Sequence, residues 1–358
     1  MSNKIKVLIV DDSALIRQVL SKIIESDPEL EVVGTAVDPI VARDKIKSLK
    51  PDVLTLDIEM PRMDGITFLR NLMRLHPMPV VMISTLTSAG AEVTLEALEI
   101  GAIDFVSKPK LDVSEQLQSY SDEIIEKVKT AASAKLRGSV TKSIPKVAEK
   151  LTVDAVIPKR SPASSYKNSD KFFAIGASTG GTEAIKEVLM RMPADAPGIV
   201  ITQHIPAAFS APFAKRMGSV TNMTVHHAID GQQILPGNVY IAPGDRHLIV
   251  EKSGNRLVCR LNDGPLVNRH KPSVDVLFRS VVQAVGDNVI GVMLTGMGND
   301  GALGMKEMYD AGAITIAQNE ESSVVWGMPG SAVEMGGVEH IVSLDKIAEK
   351  MLDVCKKS

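Results

Sequence analysis

The chain has 358 residues, of which 44% are hydrophobic, with 40 Lys plus Arg against 43 Asp plus Glu and only two cysteines. A net charge of -3 argues against a nucleic-acid binder, and Cys259 and Cys355, without a CxxC or Cys/His spacing, exclude a disulfide framework and a structural zinc site. The length exceeds one average domain and supplies apolar residues for two cores.

The chain opens on "MSNKIKVLIVDDS", a short apolar segment cut by Lys6 and closed by two aspartates, unlike a signal peptide or a membrane span. A cytoplasmic protein with no membrane insertion is expected. To about residue 130, the runs "KVLIV", "EVVGTA", "DVLTLD", "VVMIST" and "DFVSKP" read as strands. Between them, segments such as "SALIRQVLSKII" and "AEVTLEALEIGA" repeat apolar residues at three- and four-residue steps. Alternating β and α predicts a parallel sheet covered on both faces.

Asp11 and Asp12 follow the first strand of this sheet and Asp57 ends the third. Strand C-termini in a doubly wound sheet converge on one crevice. Three carboxylates gathered there repel unless a hard cation joins them, and an oxygen-only set suits Mg2+. Ser84, with Thr85 as its neighbouring candidate, ends "VVMIST", and Lys108 ends "DFVSKP". A hydroxyl and an ammonium beside such a carboxylate would stabilise a phosphoryl group on it. Any one of these aspartates could simply cap a helix, but five positions at strand ends argue against coincidence. "VDDS", "DIEMPRMDG" and "SKP" resemble the receiver domain of bacterial response regulators. The resemblance implies that Asp57 accepts phosphate from a histidine kinase, that Asp11 and Asp12 hold Mg2+ with it, and that Ser84 and Lys108 read the phosphoryl group.

From Ala131 to Asp170 the alternation stops, and eight Lys or Arg stand against three acids among scattered Ser and Pro. A linker, helical at its start, is expected. The alternation resumes with "KFFAIGAS", "GIVITQH", "NVYIAPG", "RLVCRL", "NVIGVMLTG" and "AITIAQ", a second α/β domain with a β-hairpin inserted around residues 239 to 261.

In that domain "GASTG" admits two readings. A strand followed by glycines and a helix can cradle a dinucleotide, and G-x-S-x-G is also the spacing of a nucleophile elbow with Ser178 exposed. A dinucleotide site usually has an acid at the end of the next strand. Here "GIVITQH" ends in Gln203 and His204, which places an imidazole beside the serine. A serine needs a base, and the base needs a group that fixes its tautomer. The glycine-rich loop "TGMGNDG" supplies Asp300. Ser178, His204 and Asp300 would then lie at the C-terminal edges of three strands, with the Met297 backbone N–H and the Thr179 hydroxyl as oxyanion contributors. His247 and His270 rank below His204 because neither ends a clean parallel strand, and Asp275 falls inside a helical pattern, where it reads as a helix N-terminal charge.

"IGASTGGTEA", "ITQHIP", "YIAPG", "HKPSVDVLF", "LTGMGNDGA" and "VVWGMPG" resemble the catalytic domain of the chemotaxis protein-glutamate methylesterases, the CheB family. The resemblance implies a Ser178–His204–Asp300 triad with Met297 at the oxyanion. It also implies a substrate: glutamate methyl esters on the cytoplasmic helices of chemoreceptors, with deamidation of certain glutamines as a side activity. No cofactor is expected for the ester chemistry. The expected layout is an α/β chain of two doubly wound parallel-sheet domains, a flavodoxin-like receiver at 1–125, a linker at 126–170 and a Rossmann-like methylesterase domain at 171–358. The tandem layout predicts that the unphosphorylated receiver restrains the Ser178 site and that phosphorylation of Asp57 relieves it. A DNA-binding regulator and a nucleotide-dependent oxidoreductase are disfavoured, because residues 171–358 carry more acids than bases and the ribose-binding acid is missing. A non-catalytic receptor adaptor is the remaining alternative.

Overall fold

The computed structural model describes residues 4–60, 63–85, 87–108, 117–134, 151–160 and 171–356. The chain divides into two compact units, Met1–Lys142 and Ser143–Ser358. Among the described residues no helix is long and apolar enough to cross a membrane.

The first unit contains strands β1 (Ile5–Val10), β2 (Leu30–Ala36), β3 (Val53–Asp57), β4 (Val80–Ser84) and β5 (Asp104–Ser107) in the order β2-β1-β3-β4-β5. Every pairing is parallel. Such pairings need crossovers, and α1 (Ala14–Glu25), α2 (Pro39–Leu49), α3 (Gly65–Leu75) and α4 (Ser88–Ile100) supply them. Each of these helices starts where a short polar side chain, that of Ser13, Asp38, Asp64 or Thr87, accepts a hydrogen bond from a first-turn N–H. The last helix, α5 (Leu117–Ser133), continues past residue 125, where the composition places a linker. Ile124, Val128 and Ala131 recur on one face and are buried, so its second half is part of this unit's core.

In the second unit seven strands form one parallel sheet. In chain order they are β6 (Phe172–Ala177), β7 (Ile199–Gln203), β8 (Thr224–His227), β9 (Asn238–Ile241), β12 (Val289–Met293), β13 (Ile314–Gln318) and β14 (His340–Val342), arranged β14-β13-β12-β6-β7-β9-β8. The hairpin is confined to β10 (His247–Ser253) and β11 (Arg256–Asn262). This corrects the expected start near 239: Val239, Tyr240 and Ile241 are buried on both faces, as a parallel-sheet strand requires. Strand β8 is a short edge strand with half-exposed polar residues, which leaves no apolar alternation to read.

Helices α6 (Gly181–Leu189), α7 (Ala207–Val220), α8 (Val274–Val285), α9 (Ala302–Asp310), α10 (Met328–Glu334) and α11 (Leu344–Lys356) complete the unit. Nearly every residue of α8 is buried, and the Ser280 hydroxyl accepts from Val250 N–H of the hairpin (3.0 Å). Residues Leu151–Arg160, expected to be linker, belong to this unit. Val153 and Ile157 are buried against Val267 and Val276, and the buried Arg279 guanidinium donates to Asp154, to the Ile157 carbonyl and to Glu307. The chain leaves β6 toward β7 on one side and later returns to β12 on the other. The C-terminal ends of β12, β6 and β7 therefore meet at the point where strand order reverses, the usual place for a site in such sheets.

Candidate active site

In the first unit, four of the five expected groups come together. One carboxylate oxygen from each of Asp11, Asp12 and Asp57 lies within 4.8 Å of the others. The Lys108 ammonium stands 2.8 Å from Asp57 Oδ2 and 3.5 Å from Asp11 Oδ2. Burial pushes the Asp57 carboxyl up to about 6, opposed by the hydrogen bond from Lys108 and reinforced by the charge of Asp11. Burial likewise raises Asp11. Buried Asp11 Oδ2 makes no hydrogen bond, so an oxygen-only set with an unsatisfied buried acceptor is on hand, and it suits a hard divalent cation. Ser84 is buried at the end of β4, but its hydroxyl accepts from Thr94 Oγ1 (2.7 Å) and donates toward the carbonyls of Thr85 and Gly90. None of these bonds reaches Asp57.

In the second unit, Ser178 follows β6 and His204 follows β7. Ala177 and Gln203 are register partners, so the two residues leave strands about 4.8 Å apart. His204 N–H donates to the Ala177 carbonyl (3.1 Å). The Gln203 amide donates to the carbonyls of Ser178 (2.9 Å) and His204 (3.1 Å), tying the two turns together. The sharp turn into α6 requires glycine at 180, where φ is +76° and a Cβ would fall 2.7 Å from Val324. On the other side, Ser178 N–H donates to the Thr295 carbonyl (3.0 Å). A Cβ on Gly296 would lie 2.8 Å from that of Ser178. The loop carrying half-buried Met297 is therefore packed against the serine, while Thr179 is buried with its carbonyl held by Thr295 Oγ1.

Asp300, 1% exposed, closes the set. Its Oδ2 accepts from His204 Nε2 (2.8 Å) and Val274 N–H (2.6 Å). Its Oδ1 accepts from Ser273 Oγ (2.8 Å), Asn268 Nδ2 (2.7 Å) and, at 3.4 Å, Asp275 N–H. The carboxylate thus sits on the open N–H groups at the start of α8, where the helix dipole favours negative charge. Burial alone would raise its pKa. The hydrogen bond and charge of His204, the charge of His270 and the Asn268 amide outweigh burial and hold it below the ordinary carboxylate range.

An ionised carboxylate only accepts, so the proton in that contact belongs to Nε2, and in the neutral ring the lone pair is then on Nδ1. His204 Nδ1 is buried and has no hydrogen-bond partner. Ser178 is accordingly not hydrogen-bonded to it. His270, the lower-ranked candidate, stacks on the His204 ring with centroids 3.7 Å apart and planes 12° apart. His247 has both ring nitrogens engaged: Nε2 with the Pro265 carbonyl (2.8 Å) and Nδ1 with Ser273 N–H (3.2 Å). Burial lowers its pKa. Asp275 accepts from Gly304 N–H (2.8 Å) and Asn268 Nδ2 (2.7 Å) and makes no bond to His204. Burial and the adjacent Asp300 charge raise it.

Residue-by-residue reading missed Gln203, Asn268 and Ser273. Ser273 was findable, since it is the polar residue just before an apolar helical repeat. The other two act across the fold and leave no local pattern.

A CheB methylesterase family model matches residues 173–351 and a response regulator receiver domain model matches residues 7–119. The chain is 59% identical to a protein of Hydrogenovibrio crunogenus named protein-glutamate methylesterase/protein-glutamine glutaminase, with 99% of this chain and 100% of the relative covered. It is 55% identical to a similarly named protein of Xanthomonas euvesicatoria over 98% of each. The crystal structure of the Thermotoga maritima CheB methylesterase catalytic domain is similar at 35% identity and a TM-score of 0.51, with 52% of this chain and all of that one covered. A match of this length and identity means that the chain belongs to the CheB methylesterase family, with a receiver domain ahead of the esterase domain.

Proposed function

We propose that the chain is a cytoplasmic hydrolase of chemotaxis adaptation that removes methyl groups from glutamate esters on chemoreceptor helices and deamidates specific receptor glutamines. Ser178 Oγ attacks the ester carbon and His204 Nδ1 takes its proton. The resulting imidazolium is stabilised through Nε2–H by Asp300. The negative oxygen of the tetrahedral intermediate is met by the Met297 N–H and the Thr179 hydroxyl. His204 returns the proton to methoxide, methanol leaves, and water repeats the sequence on the acyl-enzyme to give glutamate. With a glutamine the leaving group is ammonia and the remaining steps are the same.

Control lies in the first unit. Asp57 accepts a phosphoryl group from a histidine kinase, Asp11 and Asp12 would hold Mg2+ with it, and Lys108 and Ser84 contact the phosphoryl oxygens. Bound Mg2+ would neutralise charge on the incoming phosphoryl oxygens. Lys108 already faces Asp57 at 2.8 Å, whereas Ser84 would have to exchange its bond to Thr94 for one to the phosphoryl group.

The observation that carries this reading is the His204–Asp300 bond, which occupies Nε2 and leaves a buried, unpartnered Nδ1 on the residue that follows β7, next to the strand β6 that Ser178 follows. The test follows methanol release from methylated receptor by wild type, Ser178→Ala and Asp57→Asn. Loss of release in the first variant, and loss of stimulation by a phosphodonor in the second, are expected. Undiminished turnover in Ser178→Ala would remove Ser178 as the nucleophile, and absence of methanol release by the wild type would reduce the protein to an adaptor.

A further inference from the structure

Two buried carboxylates face one amide nitrogen. Asn268 Nδ2 lies 2.7 Å from Asp275 Oδ2 and 2.7 Å from Asp300 Oδ1, and Asp275 and Asp300 are both buried. Carboxylates this close repel, and an ionised one can only accept. The nitrogen of a primary amide offers two hydrogens from one neutral atom, so one can serve each acid. A carboxylate at 268 would add a third acceptor, and a hydroxyl would leave one acid unserved. The two acceptors also fix which end of the Asn268 amide faces them.

The residue is held from both ends. Its backbone has φ +51°, a left-handed conformation that Asn tolerates better than most side chains. Its N–H donates to the Leu151 carbonyl (2.9 Å), and its neighbour Val267 is buried against Val153, Ile157 and Val276. On the far side, Asp275 is anchored by Gly304 N–H. With Oδ1 of Asp300 pinned by Asn268 and Ser273, Oδ2 is the oxygen presented to His204.

The geometry points to Asn268 as a positioning residue of the esterase: clamped by Asp275, its amide sets the plane in which the Asp300 carboxylate meets the His204 imidazole. This rests on Ser178, His204 and Asp300 forming the triad. The Asn268 Nδ2 hydrogen bonds go to Asp275 and Asp300, so it acts on the imidazole through Asp300.

The test uses the full chain with Asn268→Ala, Asn268→Ser and Asp275→Asn. A control, Val285→Ala, removes buried methyl groups at the far end of α8, away from the acids. One readout is kcat and KM for methanol release. The other is the low-field proton resonance of the His204 Nε2–H, identified by its disappearance in His204→Gln. Asn268→Ala is expected to lower kcat about ten- to a hundredfold with KM changed less than about twofold, the scale of a misplaced catalytic group. It should also displace the resonance. Asn268→Ser, retaining one donor, should fall between it and wild type, and Asp275→Asn should displace the resonance in the same direction. Val285→Ala should leave both readouts unmoved. A resonance unshifted in Asn268→Ala, with kcat no lower than in Val285→Ala, would overturn the assignment. The resonance reads the His204–Asp300 pair directly, so it decides on Asn268 even if Ser178→Ala proves active, a result that would sink only the triad.

Discussion

Asp300→Asn separates two duties that the structure gives one carboxylate. The substitution preserves volume but turns one acceptor oxygen into an NH2. If the NH2 replaces Oδ2, it faces the Val274 N–H, 2.6 Å from Oδ2 in the parent, and the His204 Nε2–H. If the amide flips, the NH2 faces Asn268 Nδ2 instead. Either way a donor meets a donor and two charge-assisted hydrogen bonds are lost. At about 1.5–3 kcal/mol each, the second unit should lose about 3–6 kcal/mol of stability, close to the roughly 3–5 kcal/mol usual for breaking a buried pair. The chemical penalty is distinct. In the first orientation, which keeps the oxygen toward the Asn268 and Ser273 donors, an amide that donates to Nε2 forces the proton onto Nδ1, the nitrogen that must be vacant to deprotonate Ser178. The wrong tautomer costs about 10⁴ in kcat, or about 5.5 kcal/mol on the barrier. Methanol release under saturating receptor gives the second number and urea unfolding of the same protein gives the first. A stability loss of the expected size with kcat reduced less than about tenfold would refute the catalytic assignment and leave Asp300 as the anion that caps α8. Collapse of kcat with unchanged stability would refute the helix-capping half.

His247 is held neutral, its pKa lowered by burial, so below its ordinary value of about 6.5 the unfolded chain binds the extra proton and stability falls as pH drops. His247→Gln should flatten the decline in urea midpoint between pH 7.5 and 5.5, and a decline as steep as in wild type would contradict it. Gly180→Ala places a Cβ at φ +76° and 2.7 Å from Val324; thermal unfolding should report a loss of at least about 1–3 kcal/mol, with reduced methanol release, and a neutral effect would show that the turn relaxes freely. Lys108→Ala removes the cation 2.8 Å from Asp57 and should abolish stimulation of methanol release by a small phosphodonor, whereas stimulation of wild-type size would exclude Lys108 from the response.

Both sheets were legible because a parallel strand buried on both faces is an almost unbroken apolar run, as in "VVMIS" and "FFAIGA". The acids, serine and imidazole could be placed together because the rule that sites gather at strand C-termini turns sequence position into spatial position. What stayed hidden depends on partners distant in sequence. Strand β8 owes its place to a neighbour, β9, rather than to its own pattern. Asn268 makes sense only once Asp275 and Asp300, 7 and 32 residues away, are known to converge on it. The α5 boundary was misjudged because "AASAK" lacks bulky apolar residues, although Ala131 alone suffices to fill the space beneath it.

Arg279, 2% exposed, donates from its guanidinium to the Asp154 carboxylate, which neutralises part of its charge, and to the Ile157 carbonyl. Composition would have assigned both of those residues to a dispensable tether. Severing the chain at Lys171 to isolate the second unit would strand a cation in an apolar interior with Glu307 as its remaining counter-charge, and would uncover the Val267 and Val276 side chains. Any change in the activity of a fragment prepared that way would mix loss of the first unit with injury to the scaffold of the second. The scissors belong upstream of Leu151.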